Sequence, residues 1–432
     1  MAVAGAVVLS TCTADSTPDA PDLAGESLVE QLDSAGVEIV INGRVGRWGS
    51  GPFQIERTLR IGVVEGEDAY QFHRVSGVAV DPEGMLHVAN GQSATIRIFD
   101  AEGRFLREMG GKGSGPGEFQ TLSGVVITER GVAAIDGQLL RVTEFSNEGE
   151  ALETWRYAAA GLVNLRHWTP QGWLGMSMWN NRPAVAPTGT PDTTRYVLNR
   201  LTEDTVVPVP GIELPPSVRY RAPAGRGWDW PLFEATSATG VDAIGRVFVS
   251  RGTTYQVDVF SPAGALVRRV RREHEPTLVG SEVIAEHLEL LREAYRRSDE
   301  SPAQSAGQVR LYEERIAWQS AFPMAEHLPP TRRMLVGRDG SFWLERTDDV
   351  SPARLELERA FARNWVEERL GNRPSTWDLF DPDGHLLGQL RLPSEFTPHA
   401  VEGHIAVGVE RGEMDVEYVV RYEVRVPRFG RD

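Results

Sequence analysis

One five-residue phrase recurs four times along the chain: FDAEG at 99–103, FSNEG at 145–149, FSPAG at 260–264 and FDPDG at 380–384. Asp or Ser in its second place can bond the backbone two residues on, and the closing Gly accepts a positive φ, so each phrase reads as a hairpin turn after an aromatic strand end. A second turn family lies upstream: DPEG ending at Gly84, TERG at Gly131, DAIG at Gly245 and GRDG at Gly340. The paired glycines are 19, 18 and 19 residues apart in the first three cases and 44 in the last. Two weaker turns, PQG ending at Gly172 and VEG ending at Gly403, bring the set to six.

Each of the six glycines is followed by a short strand-like segment: MLHVAN, VAAID, WLGMSMW, RVFVS, SFWLE and HIAVGV. Several of these alternate apolar with polar or small residues, the period of a strand. Another apolar segment precedes each turn, and third and fourth segments such as TIRIF and RFLREM follow. Four antiparallel strands in each of six units predict an all-β fold, a six-bladed β-propeller. An open stack would leave two exposed edges, so TLRIGVV (58–64) is expected to close the ring by joining the last blade, HIAVGV and EYVVRYEVRV.

The glycine-rich run GGKGSGPGEF (110–119) then falls between the outer strand of one blade and the inner strand of the next. It offers no register of the dinucleotide-binding fingerprint, and Lys112 is followed by Gly113 where a phosphate loop needs Ser or Thr. With its flanks, FLREMGGKGSGPGEFQTLSGV and the preceding GVAVDPEGMLHVAN…IRIFDAEGRFL, it resembles the NHL repeat of six-bladed propellers. The resemblance is specific for two blades and extends through the turns alone to the other four, from Trp48 to Val426.

In such meanders the first-to-second and third-to-fourth turns share one face, and here they are all tight. Long insertions fall on the opposite face: 180–194, the Pro-, Arg- and aromatic-rich crossing 211–237, and helical insertions around 276–330 and 351–372. In the first helix, Ile284, Leu288, Leu291 and Tyr295 recur at helical spacing behind Ser281; a second runs through Val309, Tyr312 and Ile316; a third starts at Pro352 and carries Leu357, Phe361 and Trp365. Insertions on one face of a repeat array mark a binding face, or alternatively plug the channel.

Candidate ligand-binding residues follow from this placement. Tyr220, Arg221, Arg226, Trp228 and Trp230 combine planar cations with aromatic rings, with Arg332 and Arg333, Arg251 and Tyr255, and His73 as neighbours at blade entrances. They suit an anionic or sugar-like ligand; the competing reading packs the tryptophans under the loop and pairs the arginines with local acids. No Gly-x-Ser-x-Gly elbow, His-Glu-x-x-His helix or complete EF-hand loop occurs, and DPDGH at Asp381 reads as a turn. Some NHL-like propellers are enzymes with a histidine-held metal in the channel. Here His73, His327 and His399 precede their turn glycines by 11, 13 and 4 residues, which makes no ring at one height. No cofactor is therefore expected; calcium or zinc belongs to the alternative, a propeller hydrolase or lyase.

Charge and cysteine usage fix the surroundings. With 45 basic against 61 acidic residues the net charge is −16, which disfavours nucleic acid and anionic lipid surfaces. The one cysteine, Cys12, allows no intramolecular disulfide. It ends an apolar run too short to span a bilayer, and Leu9-Ser10-Thr11-Cys12 resembles a bacterial lipobox. Residues 1–12 are accordingly expected to be a lipoprotein signal segment truncated at its basic end, 13–36 a flexible acidic tether, and 37–432 the propeller. The expectation is a monomeric periplasmic or outer-membrane lipoprotein of the cell envelope, held to the membrane only through Cys12. It binds a small molecule or an envelope protein on the insertion-bearing face, and no reaction is assigned.

Overall fold

The computed structural model describes residues 29–49, 53–157, 161–162, 164–180, 186–202, 205–223, 227–297, 301–322, 324–361, 363–412 and 416–425. The lipidation site at Cys12, the first part of the tether and Arg226 lie outside the described residues.

Six antiparallel four-stranded units make the ring. Blade 1 is β4 (Val75–Val80), β5 (Leu86–Asn90), β6 (Thr95–Phe99) and β7 (Phe105–Gly110); blade 2 is β8 (Leu122–Thr128), β9 (Gly131–Asp136), β10 (Arg141–Phe145) and β11 (Ala151–Arg156). Blade 3 is β12 (Asn164–Thr169), β13 (Gly172–Trp179), β14 (Pro191–Thr202) and β15 (Thr205–Pro208), and the overlong β14 also pairs β16 (Ser217–Arg221), which pairs β17 (Trp228–Asp229). Blade 4 is β18 (Ala238–Val241), β19 (Val247–Ser250), β20 (Gln256–Phe260) and β21 (Leu266–Arg272); blade 5 is β22 (Thr331–Val336), β23 (Phe342–Arg346), β24 (Ser375–Phe380) and β25 (Leu386–Leu392). Blade 6 is β26 (Phe396–Glu402), β27 (Ile405–Arg411), β28 (Glu417–Val424) and β3 (Ile55–Ile61). The outermost strand of the last blade thus comes from before the first blade, with Ile61 opposite Val419, and the ring closes.

The repeated turn has one chemical cause. Asp81 Oδ1 accepts the backbone N–H groups of Glu83 and Met85, at 3.1 and 2.8 Å. Asp100, Asp242 and Asp381 each repeat this with the residues two and four positions on. The glycine that follows sits at φ +84° in Gly84 and Gly103, +89° in Gly245 and +86° in Gly384, where a side chain would be strained.

Burial follows the ring. Each of the six blade-to-blade seams holds its own apolar cluster, for example Ile96, Ile98 and Met109 of blade 1 against Leu122, Val132 and Phe145 of blade 2. Trp343 and Trp377 of blade 5 meet Phe396, Val420 and Tyr422 of blade 6 in the same way. The strands therefore bury both faces, and a blade cannot be stable without its neighbours.

Among the described residues the helical insertions form four helices: α1 (Glu282–Arg296), α2 (Pro302–Gln319), α3 (Pro352–Phe361) and α4 (Arg363–Leu370). α2 starts with a Ser301–Gln304 capping box, earlier than its apolar pattern indicates, and the third expected helix is two. Val283 and Ile316 pack with Leu232, Phe233 and Leu355, so the helices share a core with the 211–237 crossing.

The N-terminal boundary differs from expectation. β1 (Val29–Ser34) and β2 (Val37–Asn42) form a hairpin where the tether was expected to run to residue 36, and β2 adds in parallel to β21. Polar composition reads as disorder, but an edge strand with a paired backbone needs little apolar burial, and β1 is nearly all exposed. Beyond it, Asn42 is buried against blade 5: Nδ2 donates to Arg271 O at 3.1 Å and Gly384 O at 2.9 Å, and Oδ1 accepts the Leu386 N–H at 2.7 Å. Arg47 and Trp48 continue onto Leu386 and Leu387 before the chain enters blade 6. This strap ties blades 4, 5 and 6 together from outside.

Candidate ligand-binding channel

The inner strands β4, β8, β12, β18, β22 and β26 surround the ring axis, and between them lies a cavity of about 1180 Å³. Its rim is built by the first-to-second turns, through Pro82, Glu83, Glu129, Pro170, Ala243, Arg338 and Glu402. Its wall is mostly aliphatic: Val78, Val80, Val125, Ile127, Val241, Val336 and Val401, with Trp168. Deeper in the ring is a second cavity of about 400 Å³, where polar groups gather: Ser76, Ser123, Asn164, His167 and His399.

A bulge in the inner strands supplies this polar layer. Registers slip between Val75 and Gly77, Leu122 and Gly124, Leu165 and His167, Thr331 and Arg333, and Pro398 and Ala400. The skipped residues include Ser76, Ser123 and His399, all lining the deep cavity, and bulges commonly re-aim a side chain in this way. His167 immediately follows its bulge, with Nε2 3.3 Å from Thr239 Oγ1. Blades 3 and 6 are opposite in a ring of six, so His167 and His399 approach the channel from opposite sides.

Burial, with the Arg333 cation as a smaller cause, pushes the His399 imidazole down to about 4, so it is neutral at pH 7. At the wall near the rim, His87 Nε2 lies 2.9 Å from Asp81 Oδ2. Burial alone would raise the Asp81 carboxyl, but the His87 contact and the turn N–H groups hold it below its ordinary value. Asp242 is likewise paired, with Arg246.

The residues expected to form a ligand site lie elsewhere, on the insertion-bearing side. Tyr220 stacks on Phe322 with centroids 4.2 Å apart, and Arg221 lies 5.9 Å from the Trp228 ring. Arg219 covers the partly exposed Trp230 at 4.3 Å. Arg251 faces Asp258 at 3.6 Å, and the buried Tyr255 donates to Asp378, which also takes Arg272 at 2.6 Å. Arg332 bridges Glu345 and Glu358 at 2.9 and 2.5 Å, while Arg333 lies 3.7 Å from Glu345 and donates to Pro398 O. Arg251, Arg332 and Arg333 thus meet acids of the same chain, whereas Arg219 and Arg221 lie against the rings of the crossing. His73 is exposed at the entrance to blade 1, away from Tyr220 and its neighbours.

His73, His327 and His399 do not converge: the first two are exposed and the third lines the channel. Among the described residues, one group of three potential ligands is close enough for a metal: Asp381, Asp383 and His385. Its atoms are already engaged. Asp381 holds its turn and Arg47, and Asp383 faces Arg268. The DPDGH segment is a turn, as its sequence indicates.

His167 was not singled out by the sequence, although a signal existed. It precedes its turn glycine by 5 residues and His399 precedes its own by 4, nearly the same height in two blades.

Fold and channel together define the class: a six-bladed β-propeller with a ligand-sized axial cavity. Residues 64–160, which span blades 1 and 2, match the family model DUF5128, a 6-bladed beta-propeller. Comparison with curated proteins finds no match. Among solved structures, the chain is similar to a member of the duf4221 family from Bacteroides vulgatus (10% identity, 87% of this chain and 100% of that one, TM-score 0.49). It is also similar to a protein described as exported from Bacteroides fragilis (12%, 90% and 99%, 0.45). A third is the virginiamycin B lyase of Staphylococcus aureus (8%, 86% and 100%, 0.37).

Proposed function

We propose that this chain is an extracytoplasmic binding propeller that takes a small molecule into its axial channel through the tight-turn face. The carrying observation is the cavity of about 1180 Å³, a size suited to a small organic ligand. Aliphatic walls supply affinity by excluding water, and a few polar groups at one end supply orientation. His399 takes that second role, since its neutral imidazole offers both a donor and an acceptor, with the His167 ring across the channel from it. The ligand face is thus opposite to the insertion-bearing face favoured by the sequence. There, the aromatic and cationic groups spend their contacts on one another.

Export rests on the apolar run before Cys12, and attachment on its lipidation. No helix among the described residues is long and apolar enough to cross a membrane. Cys12→Ser is expected to move the full-length protein from the membrane fraction to the soluble periplasmic one; unchanged membrane association would refute the anchor.

The channel is tested by titrating a neutral environment-sensitive naphthalene dye. Ala400 is half-buried on the cavity wall and belongs to no apolar cluster, so Ala400→Trp should fill the channel and abolish the fluorescence gain, with circular dichroism unchanged. Trp230→Ala on the other face should leave it intact. The reverse pattern would overturn the proposal.

A further inference from the structure

Resting on the channel reading above, we infer that the ligand is an organic cation with an apolar body, held with its charge at the rim beneath blades 6, 1 and 2. Glu402, Glu83 and Glu129 line the rim on these three consecutive blades. All three are exposed, and none makes an ion pair among the described contacts. The other rim carboxylates, Asp81 and Asp242, are consumed by His87 and Arg246. On blade 5, opposite blade 2, the half-buried Arg338 is the counterweight, and it too makes no described ion pair. Arg421 of blade 6 also lines the cavity, but it bonds Thr58 and Ala101 O and lies 4.0 Å from Glu423, so the uncommitted charge at the mouth is three negatives on one arc against one positive across from it. The chain as a whole adds a field of the same sign, with its net charge of −16.

The wall below the rim decides between an organic cation and a metal ion. Glu83, Glu129 and Glu402 stand on three different blades, and the described carboxylates and histidines near enough to share an ion are those of the Asp381 turn, not of the rim. A metal would also gain nothing from the valines beneath. A cationic group on an aliphatic or aromatic body matches both layers at once: ammonium against carboxylates, and hydrocarbon against Val80, Val241 and Val401. The floor accepts a neutral polar end, because His399 carries no charge at neutral pH and Ser76 and Ser123 are hydroxyls.

The test uses two probes that differ in one group: a dansyl amide on a five-carbon chain ending in ammonium, and the same dye ending in a methyl group. The cation is expected to bind more tightly at low ionic strength and to lose that advantage in 0.5 M salt, a range in which screening becomes short. Glu83→Gln, Glu129→Gln and Glu402→Gln should each weaken the ammonium dye by about two- to fivefold, as for single exposed charges, without moving the methyl dye. Arg338→Gln should change the ammonium dye in the opposite direction, by a similar factor. Equal affinities for both dyes, or insensitivity to all four substitutions while Ala400→Trp still blocks binding, would overturn the cation and leave the channel standing. Binding of either dye undiminished by Ala400→Trp would overturn the channel itself.

Discussion

Lowering the pH should expose His399 as a destabilising load. Its imidazole is held at about 4 by burial, against about 6.5 for a free side chain. The unfolded chain therefore takes up the proton first, so stability falls as pH drops from about 6.5 and the loss levels off below 4. The full shift corresponds to about 3 kcal/mol, of which about 2 kcal/mol is already lost at pH 5. Above pH 7 the group makes no pH-dependent contribution. Acidic residues also titrate near pH 5, so the assay is a difference: urea unfolding of wild type and His399→Asn at pH 7.5 and 5.0. Wild type should lose about 2 kcal/mol more than the variant between these two values. A ring that titrates near 6.5 by NMR, or parallel losses in both proteins, would refute the claim that burial holds the His399 ring neutral.

Other substitutions probe how the ring is held. Asn42→Ala removes the side chain that satisfies two carbonyls and one N–H between the strap and blades 4 and 5, and should cost about 3 kcal/mol in urea unfolding while leaving dye affinity unchanged; a change below about 0.5 kcal/mol would show the strap to be dispensable. Glu358→Ala should cost about 4 kcal/mol, because Arg332, Arg354 and Arg373 all converge on this buried carboxylate of α3. A neutral outcome would mean that Glu345 and solvent compensate.

The blades were legible because their turns are local chemistry. One Asp or Ser and one Gly, five residues in all, specify most of the hairpins, and the spacing of hairpins specifies the ring. Closure through β3 followed from the cost of an open edge. The strap was missed because its stabilising bonds run from Asn42 to Gly384 and Leu386, more than 300 residues away, and nothing in its composition announces them. The partners of Arg332 and Arg333 were hidden for a related reason: Glu345 and Glu358 lie in strand β23 and helix α3, so the pairing is visible only in three dimensions. The channel histidines lay between these extremes. Comparing offsets from the turn glycines in every blade, including the weak third one, would have paired His167 with His399.

The central claim is where the ligand sits, and diffraction from crystals soaked with the ammonium dye tests it most directly. The account predicts difference density in the channel, with the dye body against Val80, Val241 and Val401 and its charged end near Glu83, Glu129 and Glu402. Density against Tyr220, Trp228 and Trp230 on the opposite face, with an empty channel, would contradict it.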